Sequence, residues 1–93
     1  MDETDLPSGE GLSAERALLL WRAGRTAEAE AEARTAHRRD PNDLLALNIL
    51  AAVLLGRGDA EAALALADRV LALAPADHRA WNSRGVALRR LGR

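Results

Sequence analysis

The sequence predicts an all-α chain of five helices folded as successive helical hairpins. Two observations carry that prediction. Ala (21) and Leu (17) make up 38 of the 45 hydrophobic residues, with very few β-branched side chains, which is helix-forming chemistry. The turn-forming residues are also in phase: Gly24, Gly58 and Gly92 stand 34 residues apart, as do Pro41 and Pro75.

The elements follow in order. Residues 1–12, MDETDLPSGEGL, hold four acidic side chains, Pro7, Gly9 and Gly11 but little apolar surface to offset the entropy of ordering. A disordered acidic leader is expected there, ahead of a repeat domain over 13–93. Helices are expected at 12–23, 26–39, 43–56, 59–73 and 77–91. Ser13, Thr26, Asn42 or Asp43, Asp59 and Asp77 stand at their starts, where a side-chain oxygen can accept from free backbone N–H groups. Gly24, Gly56, Gly58 and Gly92 stand near helix ends, where a left-handed residue stops the helix. Pro41 and Pro75 follow the others and prevent continuation.

Composition narrows the function classes. Thirteen basic and 14 acidic side chains give a net charge of −1, without the basic excess of a nucleic-acid binder. Trp21 and Trp81, the two aromatic residues, are too few for a base-stacking platform. The absence of cysteine excludes disulfide scaffolds and thiol chemistry. The basic residues are all Arg, the composition of a GC-rich bacterial genome. Residues 1–12 are acidic where a secretory signal is basic and then apolar. The longest apolar stretch, Leu44 to Leu55, is broken by Asn48 and too short to span a bilayer. A cytoplasmic protein is the expectation.

No catalytic arrangement stands out. Ser8, Ser13, Ser83, His37 and His78 match no nucleophile–base spacing. His37, followed by Arg38 and Arg39, reads as a solvated helix C-terminus favoured by the macrodipole. Asp77 and His78 lack a third ligand for a metal. Glu28, Glu30 and Glu32 read as a solvated outer face. Gly56-Arg57-Gly58 follows a helix rather than a strand, so it is a turn and not a dinucleotide fingerprint. Neither cofactor nor metal is expected, and no enzymatic activity.

The repeat goes deeper than its punctuation. Laying residues 10–59 on 44–93 gives 12 identities in 50, among them Ala29 with Ala63, Ala33 with Ala67 and Asp43 with Asp77. Small residues recur where paired helices should touch (Ala17, Ala51, Gly85; Ala29, Ala63). Leu47, Leu50, Leu54, Leu66, Val70, Leu71 and Leu73 are expected to fill the space between pairs. One pair cannot cover its own apolar face, so stacking is required.

A helix, a Gly turn, a second helix and a Pro every 34 residues resembles the tetratricopeptide repeat. Residues 44–77 match best. Leu47 stands in the Trp slot, Leu50, Ala51 and Leu54 in the remaining first-helix slots, and Ala63, Ala67 and Val70 in those of the second, with Pro75 closing the unit. Residues 10–43 match in the second helix (Ala29, Ala33, Ala36, Asp40, Pro41), whereas Ser13 and Arg16 depart from the first-helix pattern. Residues 78–93 supply a partial unit with Trp81, Gly85, Leu88 and Gly92. The phase at Gly92-Arg93 is that of a turn launching another helix, so a chain cut from a longer protein is expected, with a terminal cap the alternative.

The resemblance implies a right-handed α-α superhelix whose first helices line a concave groove that holds a peptide or helix of a protein partner. It places Ala14, Leu18, Trp21 and Arg22 there from the first unit. Leu45, Asn48, Ala52 and Leu55 come from the second, and Arg79, Asn82, Val86, Arg89 and Arg90 from the third. Asn48 and Asn82 occupy equivalent positions, where an amide can pair with a peptide backbone. The Arg side chains favour carboxylate-bearing partners. Family members that grip the acidic tails of heat-shock chaperones use a two-carboxylate clamp. Its positions correspond here to Ala14, Leu18, Ile49, Arg79 and Ser83, and Arg79 alone fits. The expected function is therefore a non-catalytic protein-binding module with some other partner. The alternative is the repeat region of a longer bacterial enzyme of sulfotransferase, glycosyltransferase or hydroxylase type. RNA binding through Arg-rich helices is a weaker third reading.

Overall fold

Three aspartates 16 to 18 residues apart start three of the helices. Asp43 accepts from the backbone N–H of Ala46, Asp59 from that of Ala62 and Asp77 from that of Ala80, at 3.1, 3.2 and 3.1 Å. In the computed structural model, which describes residues 13–93, these caps open helices α3 (Leu44–Arg57), α4 (Ala60–Leu73) and α5 (His78–Arg90). They follow α1 (Ser13–Arg22) and α2 (Thr26–Arg39). All regular structure among the described residues is helical, and each boundary falls within one residue of expectation. The expected leader, residues 1–12, lies outside the described residues.

Two local expectations are corrected, at Thr26 and Gly56, and the choice between Asn42 and Asp43 is decided. Thr26 sits inside α2, and Arg25 occupies the cap position with no side-chain bond to the helix. Arg25 instead pairs with the exposed Glu28 at 2.6 Å, which holds the Glu28 carboxyl below its ordinary pKa and raises that of Arg25. Asp43 is the cap of α3, while Asn42 belongs to a turn in which its N–H donates to Asp40. Gly56 lies within α3. Among the described residues Gly24, Gly58 and Gly92 alone have positive φ, at 82°, 88° and 76°, which keeps the 34-residue period of the left-handed stop.

The core is built mainly from small side chains: among the described residues, 12 of the 17 buried hydrophobic ones are Ala. Short side chains let helix axes approach closely, so the hairpins α1–α2 and α3–α4 each pack along their length. Ala51 and Ala63, one in each helix of the second hairpin, are both fully buried. The larger apolar groups lie between hairpins. Ala17, Ala33, Ile49, Leu50 and Val53 form one cluster, and Leu47, Val70 and Ala80 another under α5. Leu66 and Leu71 pack against the second cluster as expected, but Leu73 is 46% exposed.

Contacts between first helices set the curvature. α1 touches α3 and α3 touches α5, whereas α2 and α4 do not meet. The row whose members are in contact is the inner one, so α1, α3 and α5 lie on the inside of the bend. Leu47 and Trp81, equivalent by the repeat, show what stacking does. Leu47 is fully buried beneath the following hairpin element, while Trp81 is 51% exposed because no described helix follows α5 to cover it. Trp81 Nε1 donates to the Pro75 carbonyl at 2.7 Å, and the Arg84 guanidinium lies 5.8 Å from its ring centroid while pairing with Asp68 at 2.9 Å.

Candidate partner-binding groove

The inner row carries a cleft of about 350 Å3 that draws on three helices. Leu18, Trp21 and Arg22 come from α1, Asn48, Ile49 and Ala52 from α3, and His78, Arg79, Asn82 and Ser83 from α5. About two residues per turn from each helix line the cleft, as the spacings 18–21–22, 48–49–52 and 78–79–82–83 show. A second hollow adjoins it at the N-terminal ends of α3 and α5, lined by Leu44, Leu45, Asn48, Ala76, Asp77, His78 and Arg79. Asn48, His78 and Arg79 belong to both linings, so the two hollows are neighbours along one groove.

Asn48 is its anchor. The residue is 8% exposed, and its Nδ2 donates to Asp77 Oδ2 at 3.0 Å. A carboxylate can only accept, which fixes the amide orientation and leaves Asn48 Oδ1 without a hydrogen-bond partner. Asn82, its repeat equivalent, is exposed because no described element offers it a second Asp. Trp21 is 42% exposed in the cleft wall.

The 13 Arg side chains divide three ways: Arg38, Arg69 and Arg90 donate to uncharged oxygens of Thr35, Asn42 and Leu55, a second set pairs with acidic side chains, and the rest, Arg39 and Arg89 among them, have no acidic partner among the described residues. Arg25, Arg34, Arg57, Arg16, Arg84 and Arg93 pair with Glu28, Glu30, Glu32, Asp68 or Glu61. Arg22 and Arg79, both exposed at the cleft, have no acidic partner among the described residues. The cleft is therefore apolar along Leu18, Trp21, Ile49 and Ala52, with uncompensated positive charge at its rim.

Of the residues expected in the groove, Leu18, Trp21, Arg22, Asn48, Ala52, Arg79 and Asn82 come together. Leu45 is half-buried, packs against two core clusters and lines the adjoining hollow. Ala14 is buried with Ala36 and Ala46 and belongs to the core. Leu55, Val86 and Arg89 lie outside the lining. Arg89 runs back along α5, its Nη1 3.7 Å from where a β-carbon on Gly85 would stand. Arg90 donates to the Leu55 carbonyl at the end of α3, so both are engaged with each other. Ile49, Ser83 and His78 were not expected in the lining. The signal for the first two is phase: Ile49 and Ser83 are 34 apart and follow Asn48 and Asn82 directly.

The outer-face expectations also change. Glu30 is not solvated: its side chain is 12% exposed and bridges Arg34 of its own helix and Arg57 of α3. Arg57 first and Arg34 second hold its carboxyl below the ordinary range. Glu32 pairs with Arg16 of α1 at 3.4 Å. His37 is half-buried with Nδ1 unpartnered, rather than a solvated helix end.

A family model described as tetratricopeptide repeat matches residues 14–78, and again residues 50–93. The chain belongs to the tetratricopeptide repeat family. No curated protein matches the sequence. Within the family frame, four of the five positions that correspond to the chaperone-tail clamp, Leu18, Ile49, Arg79 and Ser83, do line the cleft. Leu18, Ile49 and Ser83 carry neither the charge nor the amide that the resemblance would require at those positions. No described helix of this tetratricopeptide repeat protein is long and apolar enough to cross a membrane.

Proposed function

We propose that the chain is a non-catalytic protein-binding module that takes a peptide or helix of a partner along the cleft of α1, α3 and α5. The tetratricopeptide repeat family mediates protein–protein interaction in general. The observation that carries the finer reading is the pairing of an apolar wall with two unneutralised guanidinium groups. Leu18, Trp21 and Ile49 would take apolar side chains, and Arg79 and Arg22 an acidic group. Asn82 offers both a donor and an acceptor to a bound backbone.

The test uses labelled ten-residue peptides carrying two Leu beside two Glu, two Gln or two Lys. The Glu peptide should bind best, and salt should weaken it. Arg79→Ala should cost about 1.5–3 kcal/mol of binding, the worth of a charge-assisted bond. Asn82→Ala should weaken it less. Both residues are exposed, so neither change disturbs the core. Glu28→Gln on the far side serves as control. Binding weakened by the Glu28 change alone would move the interface to the other face.

A further inference from the structure

Four of the 14 acidic side chains and none of the 13 basic ones lie in residues 1–12. The leader's side chains thus carry −4, and residues 13–93 carry +3. The leader joins the fold at Ser13, next to Ala14, which clusters with Ala46 against Leu45. Leu45 lines the hollow that shares Asn48 and Arg79 with the main cleft. Ser13, the first described residue, is thus linked through Ala14 and Leu45 to the hollow beside the cleft that Arg79 and Arg22 line.

We propose that the leader, residues 2–10, lies in this groove as a tethered occupant and competes there with acidic partners. The inference rests on the groove reading above. Length permits it: Asp5 stands eight residues before Ser13, about 26 Å of extended chain, against roughly 16–20 Å for the two helix spacings from α1 to α5. Chemistry matches it. Asp2, Glu3 and Asp5 supply the carboxylates that Arg79 and Arg22 lack, and Leu6 supplies an apolar group for the wall. A proline disfavours helix at the residue before it, so the sequence around Pro7 is compatible with an extended occupant. A short tether gives an effective concentration in the millimolar range, so even a weak contact excludes a weak competitor.

The probe is a labelled synthetic peptide, MDETDLPSGEGL, added to the full chain. The comparison is a full-length variant with Asp2→Asn, Glu3→Gln, Asp5→Asn and Glu10→Gln. The neutralised variant should bind the peptide about tenfold more tightly than the unmodified chain, because its own leader no longer competes. Arg79→Glu should abolish binding in both. Equal affinity in the two chains, still lost with Arg79→Glu, would overturn the tethered occupant and leave the groove reading standing. Binding indifferent to Arg79→Glu would overturn both. Absence of binding to the neutralised variant would overturn the inference, and the Glu peptide above would then decide the groove. A competition that grows with chain concentration, together with dimers in sedimentation, would overturn the tether and assign the site to the leader of a second copy.

Discussion

Asp77 holds two helices at once: Oδ1 accepts from the Ala80 N–H at 3.1 Å and Oδ2 from Asn48 Nδ2 at 3.0 Å. One carboxylate therefore starts α5 and fixes the buried amide in the middle of the inner row. Asp43, its equivalent one repeat earlier, caps α3, and the residue 34 positions before Asn48 is Ala14, whose side chain has no donor to offer.

That difference is measurable. Asp43→Ala removes a cap and should cost about 1 kcal/mol. Asp77→Ala removes a cap and also strands a buried amide, so it should cost a further 1–3 kcal/mol. Chemical denaturation of the two variants checks this. Equal losses would mean that the Asn48 bond contributes nothing.

Two glycines two residues apart should respond with opposite sign. Gly58 has φ 88° and Gly56 is helical, and a β-carbon at either would meet nothing within 4 Å. Space is thus equal and backbone conformation decides. Gly58→Ala forces a left-handed residue and should destabilise by about 1–2 kcal/mol. Gly56→Ala relieves a helix-interior glycine and should stabilise by about 0.5–1 kcal/mol. Melting temperatures should move apart around that of the unmodified protein.

Ala63 is fully buried in α4, which packs on α3. Ala63→Leu should overpack the hairpin and destabilise by about 1–3 kcal/mol. A melting curve identical to that of the unmodified protein would mean that the α3–α4 approach is not tight there.

Glu30 ties α2 to α3 through Arg57, and its carboxyl pKa is lowered in the fold. A depressed folded pKa means a contribution present in full above the ordinary glutamate range and lost as pH falls through the folded value. Glu30→Gln should cost about 1 kcal/mol at pH 7, the upper end for partly exposed pairs because two guanidinium groups share one carboxylate. The difference from the unmodified protein should shrink as pH falls through the ordinary glutamate range and on below it, as denaturation followed from pH 7 into the acid range would show.

The sequence by itself determined the helices, their stops and the repeat. Capping and left-handed turns depend on residues within about four positions of one another, so Asp43, Asp59, Asp77, Gly24 and Gly58 could be read directly. Phase also indicated which small residues would be buried, as Ala29, Ala51 and Ala63 are. Tertiary structure decided which inward-facing residues line an open cleft. Leu55 and Arg89 share the inner face by phase, yet the contact of Arg90 with the Leu55 carbonyl and the packing of α5 leave them outside it. The same holds for Glu30, indistinguishable in the sequence from Glu28 yet drawn into an interhelix bridge by Arg57. These pairings span 27 to 35 residues, and each depends on how far one hairpin is rotated on the next. The small repeated side chains allow close stacking without encoding that rotation; the packing of the larger ones between hairpins sets it.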